Sequence, residues 1–221
     1  MAGLLTMRPE KEAEGTRKRS LPHLLLAHGA GQGMRSPYFE TLSQQLVANG
    51  VAVTRFEFGY MAIRGQDGKR RPPPRINLLI PEYHAAIEQL RDELAPGERI
   101  VIGGKSMGGR IASMMADELF ETGEIAGLVC LGYPFHPPKK LTTLRTAHLE
   151  RLQTPALILQ GERDPFGTRS EVESYPLSDA IRVVWIGDGD HDLAPRVKSG
   201  LTREGNLATA AKAISAFLAK L

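Results

Sequence analysis

Gly104-Lys105-Ser106-Met107-Gly108 sets a serine between two glycines, after an apolar run (99–104, RIVIGG) and before a segment of helical period (107–120). A G-x-S-x-G pattern at a strand-to-helix turn presents its hydroxyl on a strained backbone, and the flanking glycines leave room for the turn. The helix that follows aims its N-terminal dipole and free N–H groups at a developing oxyanion. The same Gly-Lys-Ser also ends a phosphate-binding loop. That loop requires glycine at position 99, where Arg99 stands, and IVIG reads as strand with no loop to wrap a phosphate. Nucleophilic attack by Ser106 is the chemistry this segment favours.

A serine nucleophile needs a base, and the base needs an orienting acid. Of six histidines, His23 lies at a strand start, while His84 and His148 lie in helical segments. His28 ends a strand in HGAG, and His136 sits in a proline-rich loop. His191 alone follows the last strand late in the chain, as the order serine, acid, histidine requires. The acid expected after the penultimate strand is Asp164; Glu162 is the alternative, placed so close to the strand that it should point elsewhere. Asp188, Asp190 and Asp192 flank the histidine like a calcium loop, but Leu193 and Ser199 replace the glycine and glutamate such a loop needs. Hydrogen bonding within the loop is the better reading, and no metal or cofactor is expected. The oxyanion donors expected are the backbone N–H groups of Met107 and, from the small-residue loop 28–31, Ala30. His28, Lys105, Tyr133, Phe135, His136 and Phe166 are the candidates for the substrate pocket.

These residues cluster at the carboxyl ends of apolar runs, where open parallel sheets place their sites. Runs at 21–28, 51–58, 99–104, 125–133, 155–161 and 181–187 read as strands buried on both faces. Helical patterns at 37–49, 82–95, 107–120 and 204–220 lie between or after them. Residues 59–75, with three consecutive prolines, read as loop. The interval 133–154 has length for one crossover helix at 141–152 and nothing over for a lid. The fold class expected is α/β, one domain over 21–221, with about six mostly parallel strands covered by helices on both faces. Residues 1–20 read as a flexible arm.

With 221 residues and 42% apolar content the chain can bury a full core. Five Lys/Arg in 1–20 and five in 64–75 account for its basic character, and the remainder is mildly acidic. A basic tail and loop without a nucleic-acid module read as solvated segments, so no nucleic-acid partner is expected. No apolar stretch has the length of a membrane helix or signal peptide, so no membrane partner is expected either. One cysteine, Cys130, excludes an internal disulfide and lies in an apolar strand, where it should be inert. A cytoplasmic protein is expected.

HGAGQG, the GKSMGGR turn, LGYPFHPP, LILQGERDPFG and DGDHDL together resemble a bacterial branch of the α/β-hydrolase superfamily. That branch is similar to dienelactone-hydrolase-like proteins and to the KANL3/Tex30 group, and the resemblance covers 22–221. It implies hydrolase chemistry with Ser106, Asp164 and His191 as the triad, and leaves the substrate open. Some relatives are associated with chromatin complexes and use the fold without catalysis. A serine hydrolase of small esters or thioesters is therefore expected, with a non-catalytic binding protein as the alternative. The missing strands before residue 21 imply a sheet shorter than the full eight-stranded pattern.

Overall fold

In a computed structural model, which describes residues 3–10 and 21–221, the apolar runs become one seven-stranded sheet. The first half comprises β1 (Leu5–Met7), β2 (His23–Ala27), α1 (Pro37–Ala48), β3 (Val53–Phe56), α2 (Gly59–Asp67) and α3 (Ile76–Glu93). The second half comprises β4 (Ile100–Lys105), α4 (Met107–Glu121), β5 (Gly127–Leu131), β6 (Ala156–Gly161), α5 (Arg169–Val172), β7 (Ile181–Ile186) and α6 (Arg203–Leu218). The strand order is β1-β3-β2-β4-β5-β6-β7, parallel throughout except for β1.

Alternation along each strand divides the core between two faces. Leu25, Ala27, Ile102, Leu128, Cys130 and Ile158 pack under α2, α3 and α4. Leu24, Leu26, Val101, Val129, Leu131 and Leu157 pack under α1 and α6. Both faces are therefore covered, as continuous apolar strands demand. Cys130 has no exposed surface, and burial pushes its thiol well above the usual range, so it behaves as a small apolar residue.

Four expectations are corrected. Leu5–Met7, read as part of a flexible arm, runs antiparallel to β3, with Leu5 opposite Arg55 and Met7 opposite Val53. The Thr6 and Thr54 hydroxyls meet at 2.8 Å. This short strand covers the edge of β3 and makes the sheet seven-stranded rather than six; residues 11–20 of the expected arm lie outside the described residues. Residues 59–67, read as loop, form α2, because Glu82 accepts the Gly59 N–H at 2.6 Å and Gly68 ends the helix at φ 69°. Helix α3 starts at Ile76 rather than 82 and carries Pro81 within it. The helix expected at 141–152 is a chain of turns with a single 3₁₀ turn at Leu149–Arg151. Tertiary bonds override helical spacing there: Arg145 N–H donates to Phe135 O at 2.8 Å, and the Tyr133 hydroxyl donates to Arg145 O at 2.9 Å. With no α-helix, the β5–β6 connection supplies no lid domain.

Two buried histidines on β2 and its end set an acid limit on stability. His23 meets the Thr54 hydroxyl at 2.8 Å, and burial holds its pKa down at about 4. Burial holds His28 at about 4 as well. The unfolded chain, with ordinary values near 6.5, binds more protons between these limits, so folding stability falls as pH drops through that window. Each histidine is expected to cost about 3 kcal/mol by pH 4. Urea midpoints at pH 7, 5.5 and 4.5 measure it; a midpoint that is flat over this range would contradict the buried neutral state.

Candidate active site

The chain enters the site at the end of β4. Ser106 has φ 51° and ψ −114°, a backbone that β4 and α4 impose from both sides. A side chain at Gly104 would stand 2.5 Å from Ala27 O, and one at Gly108 would stand 2.6 Å from both Ala27 O and His28 O. Only glycine lets the turn press against β2 and its loop.

Ser106 Oγ lies 2.9 Å from His191 Nε2, and His191 Nδ1 lies 2.8 Å from Asp164 Oδ2. Asp164 has no exposed surface, and a buried carboxylate accepts, so Nδ1 carries the proton and Nε2 accepts from the serine hydroxyl. Gln160 Nε2 also donates to Asp164 Oδ2 at 3.0 Å, and the Phe166 N–H donates to Oδ1 at 2.9 Å. The charge is thus compensated by three donors. Glu162, the alternative acid, accepts the Asp188 N–H at 2.9 Å and does not hold the histidine.

The acidic run around His191 builds the loop. Asp188 pairs with Arg163 and Arg196, and Asp190 Oδ1 accepts the N–H groups of Asp192 and Ala194. Asp192 Oδ1 lies 2.7 Å from Lys105 Nζ. Burial alone would raise the Asp192 carboxyl; Lys105, His191 and Arg203 outweigh it and hold it below the usual range. Among the described residues no three acidic, histidine or cysteine side chains gather as a metal cage.

Loop 28–31 lies against the turn: a side chain at Gly29 would touch Lys105 O and Ser106 Cβ at 3.5 and 3.6 Å. The His28 ring fixes that loop. Nδ1 donates to Gly29 O at 2.7 Å, and Nε2 accepts the Phe58 N–H at 3.0 Å, which requires the neutral ring. The Tyr60 hydroxyl reaches Gly29 O and Ala30 O at 3.5 and 3.3 Å. Ala30 is exposed beside this anchored backbone, and Met107 opens α4 directly after Ser106. Neither amide donates to a backbone acceptor among the described residues.

Most of the expected pocket residues stand elsewhere. Tyr133, Phe135 and His136 have no exposed surface, because the chain after β5 turns inward and packs them into the core and against α5. His28 is equally buried and organises its loop. Lys105 is 6% exposed and bound to Asp192 beneath the turn, so its charge is spent on the histidine loop. Phe166 does reach the site, with its ring 4.3 Å from that of His191. The sequence reading missed Gln160, whose only signal is a polar side chain inside an apolar strand. It also missed Tyr60, which lay in the stretch read as loop.

A family model described as an alpha/beta hydrolase domain matches residues 20–219. Among solved structures, the chain is similar to a dienelactone hydrolase from Anabaena variabilis, with TM-score 0.66 and 21% identity over 97% of this chain and 89% of that one. It is similar to an alpha-beta serine hydrolase homologue from Coxiella burnetii, with TM-score 0.66 and 18% identity over 96% and 90%. A Xanthomonas campestris serine hydrolase described as without a lid matches at TM-score 0.57 and 16% identity over 86% and 80%. These structures share the fold, and the family match spans nearly the whole chain. The chain therefore belongs to the α/β-hydrolase family.

Proposed function

We propose that the protein is a serine hydrolase that cleaves small carboxylic esters or thioesters through an acyl-enzyme. The observation that carries this reading is the continuous run from Ser106 Oγ through His191 to buried Asp164, at 2.9 and 2.8 Å. His191 Nε2 takes the hydroxyl proton as Ser106 attacks the carbonyl carbon. The tetrahedral oxyanion is held by the Met107 and Ala30 amides. As the carbon–oxygen or carbon–sulfur bond breaks, the imidazolium returns its proton to the departing alcohol or thiol. Water then attacks the acyl-enzyme by the same route, releasing the acid and the free serine. Asp164 keeps Nδ1 protonated and stabilises the imidazolium; it is not itself protonated. Among the described residues no helix is long and apolar enough to cross a membrane, and this reading takes a small cytoplasmic substrate as its partner. A fluorophosphonate probe, which needs an activated serine, should label the wild type at Ser106 and leave Ser106→Ala unlabelled. A folded wild type that never labels would instead be a binding protein on a hydrolase fold.

Short, soluble acyl groups suit a site with no lid. The β5–β6 connection contains only turns, and nothing there can close and open over Ser106. Rates across an acyl-chain series should show no jump as long-chain substrate passes its micellar threshold. A sharp rise at that threshold would reveal a mobile cover.

A further inference from the structure

A cavity of about 540 Å³ opens beside the site, sharing Gly31 of the 28–33 loop and the Tyr38 ring, over which Lys105 Nζ lies at 5.4 Å. Its wall carries three guanidinium groups, Arg35, Arg64 and Arg203, and one carboxylate, Glu57. Among the described residues none of the three arginines has a carboxylate within 4 Å, whereas Arg55, Arg163 and Arg196 are all paired. Arg64 donates to Gly31 O at 3.3 Å, and Arg203 lies 5.7 Å from the Tyr38 ring centroid. Glu57 is engaged with the Met34 N–H at 3.1 Å.

One further feature points the same way. Helices α1 and α6, 12 and 16 residues long, both start at this cavity, which is lined by Ser36, Pro37 and Tyr38 of one and Arg203 of the other. The start of α1 carries N–H groups without a capping side chain and a partial positive charge, whereas Thr202 caps α6 by accepting the Gly205 N–H at 3.0 Å. Ser36, the residue that caps α1, makes no side-chain capping bond, and its buried Oγ has no partner. The Tyr38 hydroxyl is also buried without a partner, on a residue only 1% exposed. Neither oxygen is open to solvent, so neither faces a ligand in the cavity.

We propose that this cavity binds a phosphate group carried by the substrate, which makes the substrate a phosphate-bearing ester or thioester. The proposal rests on the serine-hydrolase reading above. Three guanidiniums against one carboxylate leave an excess of two positive charges, which matches a phosphate dianion rather than a single carboxylate. Arginine forks fit phosphate oxygens in pairs, and the uncapped start of α1 favours the same charge. Its volume of about 540 Å³ is that of a small-molecule site, and its shared wall with the 28–33 loop sets the phosphate to one side of the scissile carbonyl.

The test pairs binding with turnover. Pyrophosphate binding is measured by calorimetry at low salt for the wild type and for Arg35→Gln, Arg64→Gln and Arg203→Gln. Turnover compares acetyl-coenzyme A with S-acetyl-N-acetylcysteamine, which share the thioester and differ in the phosphate-bearing part. Wild type is expected to bind pyrophosphate, with each substitution weakening it about tenfold. The ratio of kcat/KM for the phosphorylated over the neutral thioester should exceed ten, should fall at least tenfold in each variant, and should shrink with added salt. Turnover of both thioesters with equal kcat/KM, or pyrophosphate binding that ignores the three arginines, overturns the phosphate site and leaves the hydrolase reading intact. Arginine-dependent pyrophosphate binding without turnover of either thioester upholds the phosphate site and overturns the hydrolase reading.

Discussion

Replacing Ser106 or His191 with alanine lowers kcat for a short ester by about 10⁴–10⁶-fold, and Asp164→Asn does so less severely. The expectation follows from how the three act together. Among the described residues Ser106 Oγ has no other base within hydrogen-bond reach than His191 Nε2, and the imidazole is turned toward it by its bond to Asp164. Once the serine is gone, losing the histidine as well removes little more, so the double variant Ser106→Ala/His191→Ala should match Ser106→Ala. Asp164→Asn keeps the side chain's shape but turns an acceptor into a mixed group, which favours the wrong imidazole tautomer. Steady-state kinetics on purified variants, with circular dichroism to verify folding, decide the matter. Near-normal turnover by Ser106→Ala would remove it from the mechanism.

The second large effect is expected from a single methyl group. In Gly108→Ala the new carbon would lie 2.6 Å from two backbone oxygens, Ala27 O and His28 O. Backbone cannot rotate aside as a long side chain can, so β2 and its loop must move away from α4. That movement separates the Met107 and Ala30 amides, the oxyanion donors proposed above, and donors off by an ångström lose much of their worth. A drop in kcat/KM of about 10²-fold or more is expected, with a lower melting temperature. If a folded Gly108→Ala variant works within threefold of wild type, the close approach of turn and loop is not what aligns the oxyanion donors.

Much of this arrangement was legible in one dimension, because local patterns encode it. Apolar runs such as ALIL (156–159), bounded by turn signals, read as strands buried on both faces, and glycines around Ser106 announce a turn that other residues cannot make. The edge strand β7 shows where the rule weakens: its run IRVVWI, apolar but for Arg182, reads as buried on both faces, yet most of it is only partly buried, because the sheet stops there. Helix α2 was read as loop because its stabilising contacts come from elsewhere, with the Glu82 carboxylate capping Gly59 from α3. The helix expected at 141–152 failed for the converse reason, since bonds from Tyr133 and Phe135 hold that chain in turns despite its helical spacing.

The sequence by itself determined the order of β2 to β7 and of α1, α3, α4 and α6 among them, the strained turn at Ser106 and the chain order of Ser106, Asp164 and His191. Each of these is written in neighbouring residues, in their period, their glycines and their place after a strand. Tertiary structure alone decided what surrounds them. It turned Tyr133, Phe135 and His136 inward, tied Lys105 to Asp192, and put Gln160 behind Asp164. It also gathered Arg35, Arg64 and Arg203 around one cavity from loop 28–36, α2 and the start of α6. Residues so far apart in the chain become neighbours only when packing fixes where each helix begins and which way each loop folds. No spacing in a single sequence records that, because the energy that chooses it comes from burial and pairing between segments.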